Sequence, residues 1–157
     1  MSERREEQGF TLIELLVVVA IIGIIATVAV GALRSQFDKA AIAAVTADLR
    51  SFQTGFMAYA SDTGGMPPDT HLNANFNLPA GMEEYVPVYK WSQQTPLGGN
   101  YNWEGPDNYT YAGISWFQPS ALPSTFAELD SKFDDGDLST GNFRLTANGR
   151  YTYIIQE

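Results

Sequence analysis

The chain has 157 residues, of which 45% are hydrophobic and only 17% are charged, so it suffices for one compact domain and is short for a multidomain enzyme. Its net charge of −9 and its scattered cations argue against duplex nucleic acid as a partner. Because the chain has no cysteine, it cannot form a disulfide, a thiolate zinc site or a cysteine nucleophile.

The apolar residues concentrate near the N-terminus. From Phe10 to Leu33 the only ionisable side chain is Glu14. A helix over this range is about 36 Å long at 1.5 Å per residue, which is enough to cross a bilayer core of about 30 Å. Arg4 and Arg5 precede the apolar run, and this favours a cytoplasmic N-terminus, with the rest of the chain facing outward.

Two ordinary interpretations of this segment fit less well. A secretory signal peptide could end at the small residues Val30-Gly31-Ala32, but the apolar run is too long and follows an acidic pair. A plain membrane anchor explains the length and leaves Glu14 unexplained, since an acid at a bilayer centre costs about 2.5–3.5 kcal/mol.

A third interpretation rests on the residues Gly9-Phe10-Thr11-Leu12-Ile13-Glu14, which are followed by LLVVVAIIGIIATVAVGAL. This segment resembles the processing and assembly segment of type IV pilins and type II secretion pseudopilins. In that family a membrane-embedded aspartic prepilin peptidase cuts after the glycine, and the new N-terminal phenylalanine is methylated. The resemblance implies cleavage between Gly9 and Phe10, and it places the family's glutamate at Glu14.

The chemistry of the segment agrees with that resemblance. Glycine before the cut gives a protease close access to the backbone. Cleavage leaves a charged amine on Phe10, with Glu14 one helical turn deeper as an acid that lacks a partner within its own helix. We expect the Phe10 amine of a second subunit to pair with this Glu14 and to fix the axial register of a polymer. Many fibre-forming relatives have a proline where this chain has Gly31, which argues against the most abundant subunit of a long fibre.

Beyond Arg34 the apolar residues recur every three or four positions, which predicts one helical stripe facing a core. The stripe comprises Phe37, Ala41, Val45, Leu49, Phe52, Phe56 and Tyr59. Gly64-Gly65 and Pro67-Pro68 then stop the pattern. The sequence therefore predicts one continuous helix from residue 10 to about residue 61.

Residues 66–99 read as an irregular connection with a short helical turn over Met82–Val86. His71, the only histidine, has neither a cysteine nor a second histidine beside it, so we expect a solvated loop residue rather than a ligand or a base. No catalytic triad is recognisable, and the chain is not expected to be an enzyme.

Two β-hairpins are predicted in the C-terminal half. Tyr101 and Trp103 alternate with polar residues, and a turn at residues 105–108 leads to Tyr109 and Tyr111. Phe143 and Leu145 lead through Asn148-Gly149 to Tyr151, Tyr153 and Ile155. Between the hairpins, Thr125 and Glu128 have the spacing of a capping box, which predicts a helix to about Phe133. The predicted fold is α+β and pilin-like, with a long helix packed on an antiparallel sheet of about four strands.

Two further surfaces have alternative interpretations. Trp103, Trp116 and Tyr109 offer flat faces for a glycan, or they cover the helix stripe, which only one face of each strand can do. Asp130, Asp134, Asp135 and Asp137 surround Gly136 in an acidic turn. Such carboxylates can bind calcium, as in some secretion pseudopilins, but the spacing differs from the D-x-[DN]-x-[DN]-G loop and also suits a structural turn.

The sequence thus predicts a leader at residues 1–9, a transmembrane and fibre-core helix at residues 10–33, and a periplasmic or extracellular domain at residues 34–157. The expected function is that of a structural subunit of a type II secretion pseudopilus or a type IV pilus. Its expected partners are other pilin-like subunits, the prepilin peptidase, an inner-membrane assembly platform and, before assembly, membrane lipid. The alternative is an anchored extracellular ligand-binding protein that does not polymerise.

Overall fold

The computed structural model describes residues 10–70 and 78–157 and contains three helices and four strands within them. His71 lies outside the described residues. Two units can be distinguished, one ending at Asp38 and the other running Lys39–Glu157. In chain order the elements are α1 Leu12–Thr63, α2 Val88–Ser92, β1 Asn100–Glu104, β2 Ala112–Phe117, α3 Pro123–Asp130, β3 Phe143–Leu145 and β4 Tyr151–Gln156.

Helix α1 confirms the predicted long helix to within two residues at each end. It ends where Gly64 adopts a φ of +89°, a left-handed conformation that glycine accepts without strain. The Gly64 amide donates to the Ala60 carbonyl at 2.9 Å. Pro67 and Pro68 follow, and proline cannot continue a helix.

The four strands form one antiparallel sheet, as predicted, and their order is β1-β2-β4-β3. The second hairpin is also confirmed: Phe143 lies opposite Tyr153, and Gly149 supplies a φ of +79° in the turn. Asn148 keeps a negative φ, so this connection is not a two-residue turn with two left-handed residues.

The first hairpin differs from the prediction because its second strand begins at Ala112 rather than at Tyr109. Residues 105–111 form a loop that is bonded to the segment after α1. The Asp69 amide donates to Asp107 at 2.7 Å, and the Asn108 side chain donates to Asp69 at 2.8 Å. These bonds hold the loop away from the strand ladder.

The core of the unit Lys39–Glu157 forms between α1 and one face of the sheet. Val45, Leu49, Phe52 and Phe56 of the stripe are buried, as predicted. The ring of Phe56 stacks on Trp103 with centroids 3.9 Å apart. Ile42 also belongs to this core, whereas the predicted stripe contained its neighbour Ala41 instead.

Phe37 does not belong to the core and is 71% exposed, so the prediction was wrong at this position. The residue lies in the unit that ends at Asp38, whereas the described core residues lie in the other unit. Helical spacing reports which side of a helix a residue occupies, but it does not report where the covering domain ends.

The two short helices were predicted imperfectly. Helix α3 begins at Pro123, with Leu122 as an N-cap that makes no side-chain bond, so the capping box at Thr125 was wrong. Proline supplies a preset helical φ at the first position of a helix. Helix α2 was not predicted, although the turn before it was: the Val86 amide donates to the Met82 carbonyl at 3.0 Å.

Both faces of the central strand β2 are buried, although only one of them packs on the helix stripe. One face carries the aromatic core, and the other carries buried polar side chains: Asn102, Glu104, Ser115 and Thr152. The indoles of Trp103 and Trp116 are 0% and 1% exposed. They therefore do not form a binding platform with Tyr109.

Candidate assembly site

The first turn of α1 is closed by Thr11 and Glu14. The Thr11 amide and hydroxyl both donate to Glu14 Oε2, at 2.9 and 2.7 Å, and the Glu14 amide donates to Thr11 Oγ1 at 3.3 Å. This reciprocal arrangement is a capping box. It corrects the expectation that Glu14 has no partner within its own helix.

The residues that follow Glu14 present apolar side chains on all sides. The large hydrophobic side chains between Leu12 and Leu33 are 48–86% exposed, and Phe10 is 89% exposed. The most apolar 18-residue window of α1 has a mean hydropathy of 2.9, and none of it is buried. By length and composition, this part of α1 can cross a membrane.

Gly23 and Gly31 lie in the same part of α1. A Cβ atom added at either position would meet nothing within 4 Å. Contacts within the described chain therefore do not require glycine at these positions. Small residues on a membrane helix permit close approach of another helix.

The acidic turn is held by bonds within the loop. Asp134 accepts from the Asn142 amide, Asp135 Oδ1 accepts from the Asp137 amide at 2.8 Å, and Asp137 accepts from the Ser139 hydroxyl at 2.7 Å. Among residues 10–70 and 78–157, no group of three or more acidic or histidine side chains is placed to hold a metal. The predicted calcium ligands are thus neighbours in the turn that do not converge as a ligand set.

Asp130 differs from the other acids of this turn because it is fully buried and both of its oxygens lack a hydrogen-bond partner. Burial raises the pKa of Asp130 to about 6, and repulsion from Asp134 and Asp135 adds to the rise. The nearby Gly136 amide, which lies outside hydrogen-bond geometry, partly offsets this rise in the pKa. The turn therefore contains one carboxyl group that is costly to ionise.

A second buried acid, Glu104, was not predicted from the sequence. Its carboxylate accepts from the side chains of Tyr111 at 2.8 Å, Asn148 at 2.7 Å, Thr152 at 3.2 Å and Arg150 at 3.4 Å. These donors come from the 105–111 loop, the β3–β4 turn and β4. Glu104 therefore connects both hairpins through the polar face of the sheet.

Two family profiles match the chain. The profile of the prokaryotic N-terminal methylation motif covers residues 4–30, and the profile described as PilW, C-terminal, covers residues 36–113. One solved structure with a similar fold is the major type IV pilin PilA1 from Clostridium difficile, with a TM-score of 0.58 and 20% identity over 78% of this chain and 99% of that one. The long helix on a four-stranded antiparallel sheet and the methylation motif define a pilin-like structural subunit.

Two curated relatives carry the same printed description, type II secretion system core protein G. The protein from Pseudomonas aeruginosa is 27% identical over 90% of this chain and 98% of its own length. The protein from Klebsiella michiganensis is 29% identical over 78% of this chain and 90% of its own length. Together the methylation motif, the core protein G relatives and the pilin fold support a pilin or pseudopilin family for this chain. Subunits of this family are structural rather than enzymatic.

Proposed function

We propose that the chain is a non-enzymatic structural subunit of a type II secretion pseudopilus, cleaved after Gly9 and methylated on the amine of Phe10. The observation that carries this proposal is the methylation motif over residues 4–30, in a chain that matches core protein G relatives over most of their length. The prepilin peptidase, an inner-membrane assembly platform and other pilin-like subunits are its proposed partners.

Before assembly, residues 10–33 span the inner membrane with the N-terminus in the cytoplasm, and residues 34–157 form the periplasmic domain. The exposure of every large apolar side chain between Leu12 and Leu33 supports this arrangement. An apolar surface of this kind requires lipid or protein around it. Lipid surrounds this apolar surface in the membrane, and the helices of other subunits surround it in the proposed fibre.

Glu14 is proposed to bind the Phe10 amine of a neighbouring subunit. Both bonds from Thr11 use Glu14 Oε2, and within the described residues Oε1 accepts no hydrogen bond. An incoming amine can therefore pair with Oε1 while the capping box stays intact. A paired charge is much less costly in an apolar surrounding than a lone one, so the pair favours one axial register.

Mass spectrometry of the mature N-terminus tests the processing step. We expect a chain that begins at a methylated Phe10 and lacks residues 1–9. An intact leader, with no polymer recovered from cells, would instead support an anchored binding protein that does not polymerise.

A pair of variants separates the two roles of Glu14. Glu14→Val removes the carboxylate that accepts from Thr11 together with the proposed intermolecular partner, whereas Thr11→Val removes the hydroxyl bonds of the capping box and keeps the Glu14 carboxylate. We expect both variants to be inserted and cleaved, but only Thr11→Val to enter the polymer, as measured in the sheared fibre fraction. Normal polymer from Glu14→Val would refute the register role.

Calcium binding by Asp130, Asp134, Asp135 and Asp137 is a separate part of the proposal. Its support is the buried Asp130 carboxyl with two unpartnered oxygens, since a hard cation takes carboxylate oxygens. Because the other three acids bond within the loop, binding requires the turn to rearrange. Calorimetry and thermal unfolding at millimolar calcium test this, with Asp130→Asn as the control; no heat and no thermal shift would retire the site.

A further inference from the structure

A groove of about 550 Å³ lies between α1 and α3 in the unit Lys39–Glu157. Helix α1 contributes Lys39, Ile42, Thr46 and Arg50, and the α3 side contributes Glu128 and Lys132. Three cations and one carboxylate thus line a groove in a chain whose net charge is −9. The groove has the opposite sign of charge to the protein as a whole.

The groove also contains the basic side chains that the unit leaves without an acidic partner. Six Lys and Arg residues belong to this unit, and Lys90, Arg144 and Arg150 form ion pairs. Among the described residues the remaining three form none, and these are Lys39, Arg50 and Lys132. The Arg50 guanidinium lies 5.9 Å from the ring centre of Phe133, which holds it beside the groove.

An acidic patch lies near the C-terminal end of α1, beyond the part of the helix that lines the groove. It comprises Asp62, Glu83 and Glu84, all exposed. Tyr85 connects these residues because its hydroxyl donates to Asp62 at 2.9 Å. The ring of Tyr85 packs edge-on against Tyr59 of α1, with centroids 5.5 Å apart. The patch is therefore attached rigidly to the helix that forms the groove.

We infer that the cationic groove receives the acidic patch of a second copy of the chain. This contact rests on the proposed function, since it would join subunits of the polymer. A surface that meets a different surface on the next copy is heterologous, and heterologous contacts generate helical filaments. The cationic groove and the acidic patch are two different surfaces of opposite charge, so they can form a contact of this kind.

The dimensions favour a folded acidic surface over a small anion. Lys39 and Arg50 are separated by a rise of about 16 Å along α1, which one phosphate group cannot span. From Thr46 in the groove to Asp62 the rise is about 24 Å, which gives the axial offset of two parallel copies in this contact. Phe10 and Glu14 differ by only about 6 Å, so the two contacts join different pairs of neighbours.

Charge reversal in the full-length chain, expressed with its assembly machinery, tests the contact. We expect Lys39→Glu with Arg50→Glu to reduce sheared polymer by more than about tenfold, because like charges then face each other. Glu83→Lys with Glu84→Lys should do the same, and all four changes in one chain should restore the polymer. The matched control exchanges the two partners of a surface ion pair, Arg144→Glu with Glu157→Arg, and it should leave the amount of sheared polymer unchanged.

Cross-linking decides the matter even if a reversal variant fails to fold. The chain has no native cysteine, so Ala47→Cys, at a residue that also lines the groove, and Glu84→Cys in the acidic patch can be placed in two co-expressed copies. We expect a disulfide-linked dimer on mild oxidation of the polymer, and none when either variant is expressed alone. Polymer without this dimer would overturn the inference, even if the reversals reduce assembly, since that combination points to another ligand such as a lipid headgroup. Failure of the unaltered chain to polymerise would instead refute the proposed function.

Discussion

Removal of the Glu104 carboxylate should strongly destabilise the unit Lys39–Glu157. The side chain is fully buried and accepts four hydrogen bonds, one of them from Arg150, whose side chain is only 18% exposed. Glu104→Ala leaves that guanidinium without its partner in a poorly hydrated place. Loss of one member of a buried ion pair costs about 3–5 kcal/mol, which corresponds to a fall in Tm of about 12–20 °C for a domain of this size.

The assay is thermal or urea unfolding of the full chain in detergent, followed by near-ultraviolet circular dichroism. The double variant Glu104→Leu with Arg150→Met should be more stable than Glu104→Ala, because it removes both charges and keeps the volume. Glu104→Gln should fall between the unaltered chain and Glu104→Ala, since it retains one acceptor oxygen. A loss below about 1 kcal/mol for Glu104→Ala would refute the view that this carboxylate connects the hairpins.

Three further variants test packing and ionisation. Gly55→Ala should lose about 1–3 kcal/mol in urea unfolding despite a gain in helix propensity, because its Cβ would overlap the Tyr85 carbonyl oxygen. Phe52→Ala should lose about 3–5 kcal/mol, whereas Phe37→Ala should leave the unfolding of the domain unchanged; equal losses would contradict the observed boundary of the core. Burial is the main cause that raises the pKa of Tyr111 to about 12. The protonated phenol therefore stabilises the fold fully below pH 10, and this stabilisation is lost as the pH rises towards 12. For the variant Tyr111→Phe, absorbance titration at alkaline pH should show one phenol fewer near pH 12. The loss of stability between pH 10 and pH 12 should also be smaller than in the unaltered chain.

Local periodicity predicted the elements whose determinants are close in sequence. The spacing of Val45, Leu49, Phe52 and Phe56 defines one side of a helix without reference to the rest of the chain. The alternation around Asn148-Gly149 defines a hairpin in the same way. The resemblance around Gly9 and Glu14 indicated the family, which the methylation profile and the matched fold support.

The missed features depend on contacts between distant parts of the chain. Glu104 pairs with Arg150 across 46 residues, and nothing near Glu104 in the sequence shows that its position is buried. The late start of β2 follows from bonds between Asp69 and the 105–111 loop. Thr11 carried a readable signal in the sequence, because Thr and Glu three residues apart form a capping box.

Among the described residues, the hydrophobic core of the domain runs from Ile42 onward and includes none from the unit that ends at Asp38. Folding of residues 39–157 therefore draws no stability from whatever surrounds the apolar N-terminal part of α1. Under the proposed function, a reservoir of fully folded subunits can accordingly be mobilised without any refolding. Only the surroundings of residues 10–33 would be exchanged when a subunit leaves that reservoir.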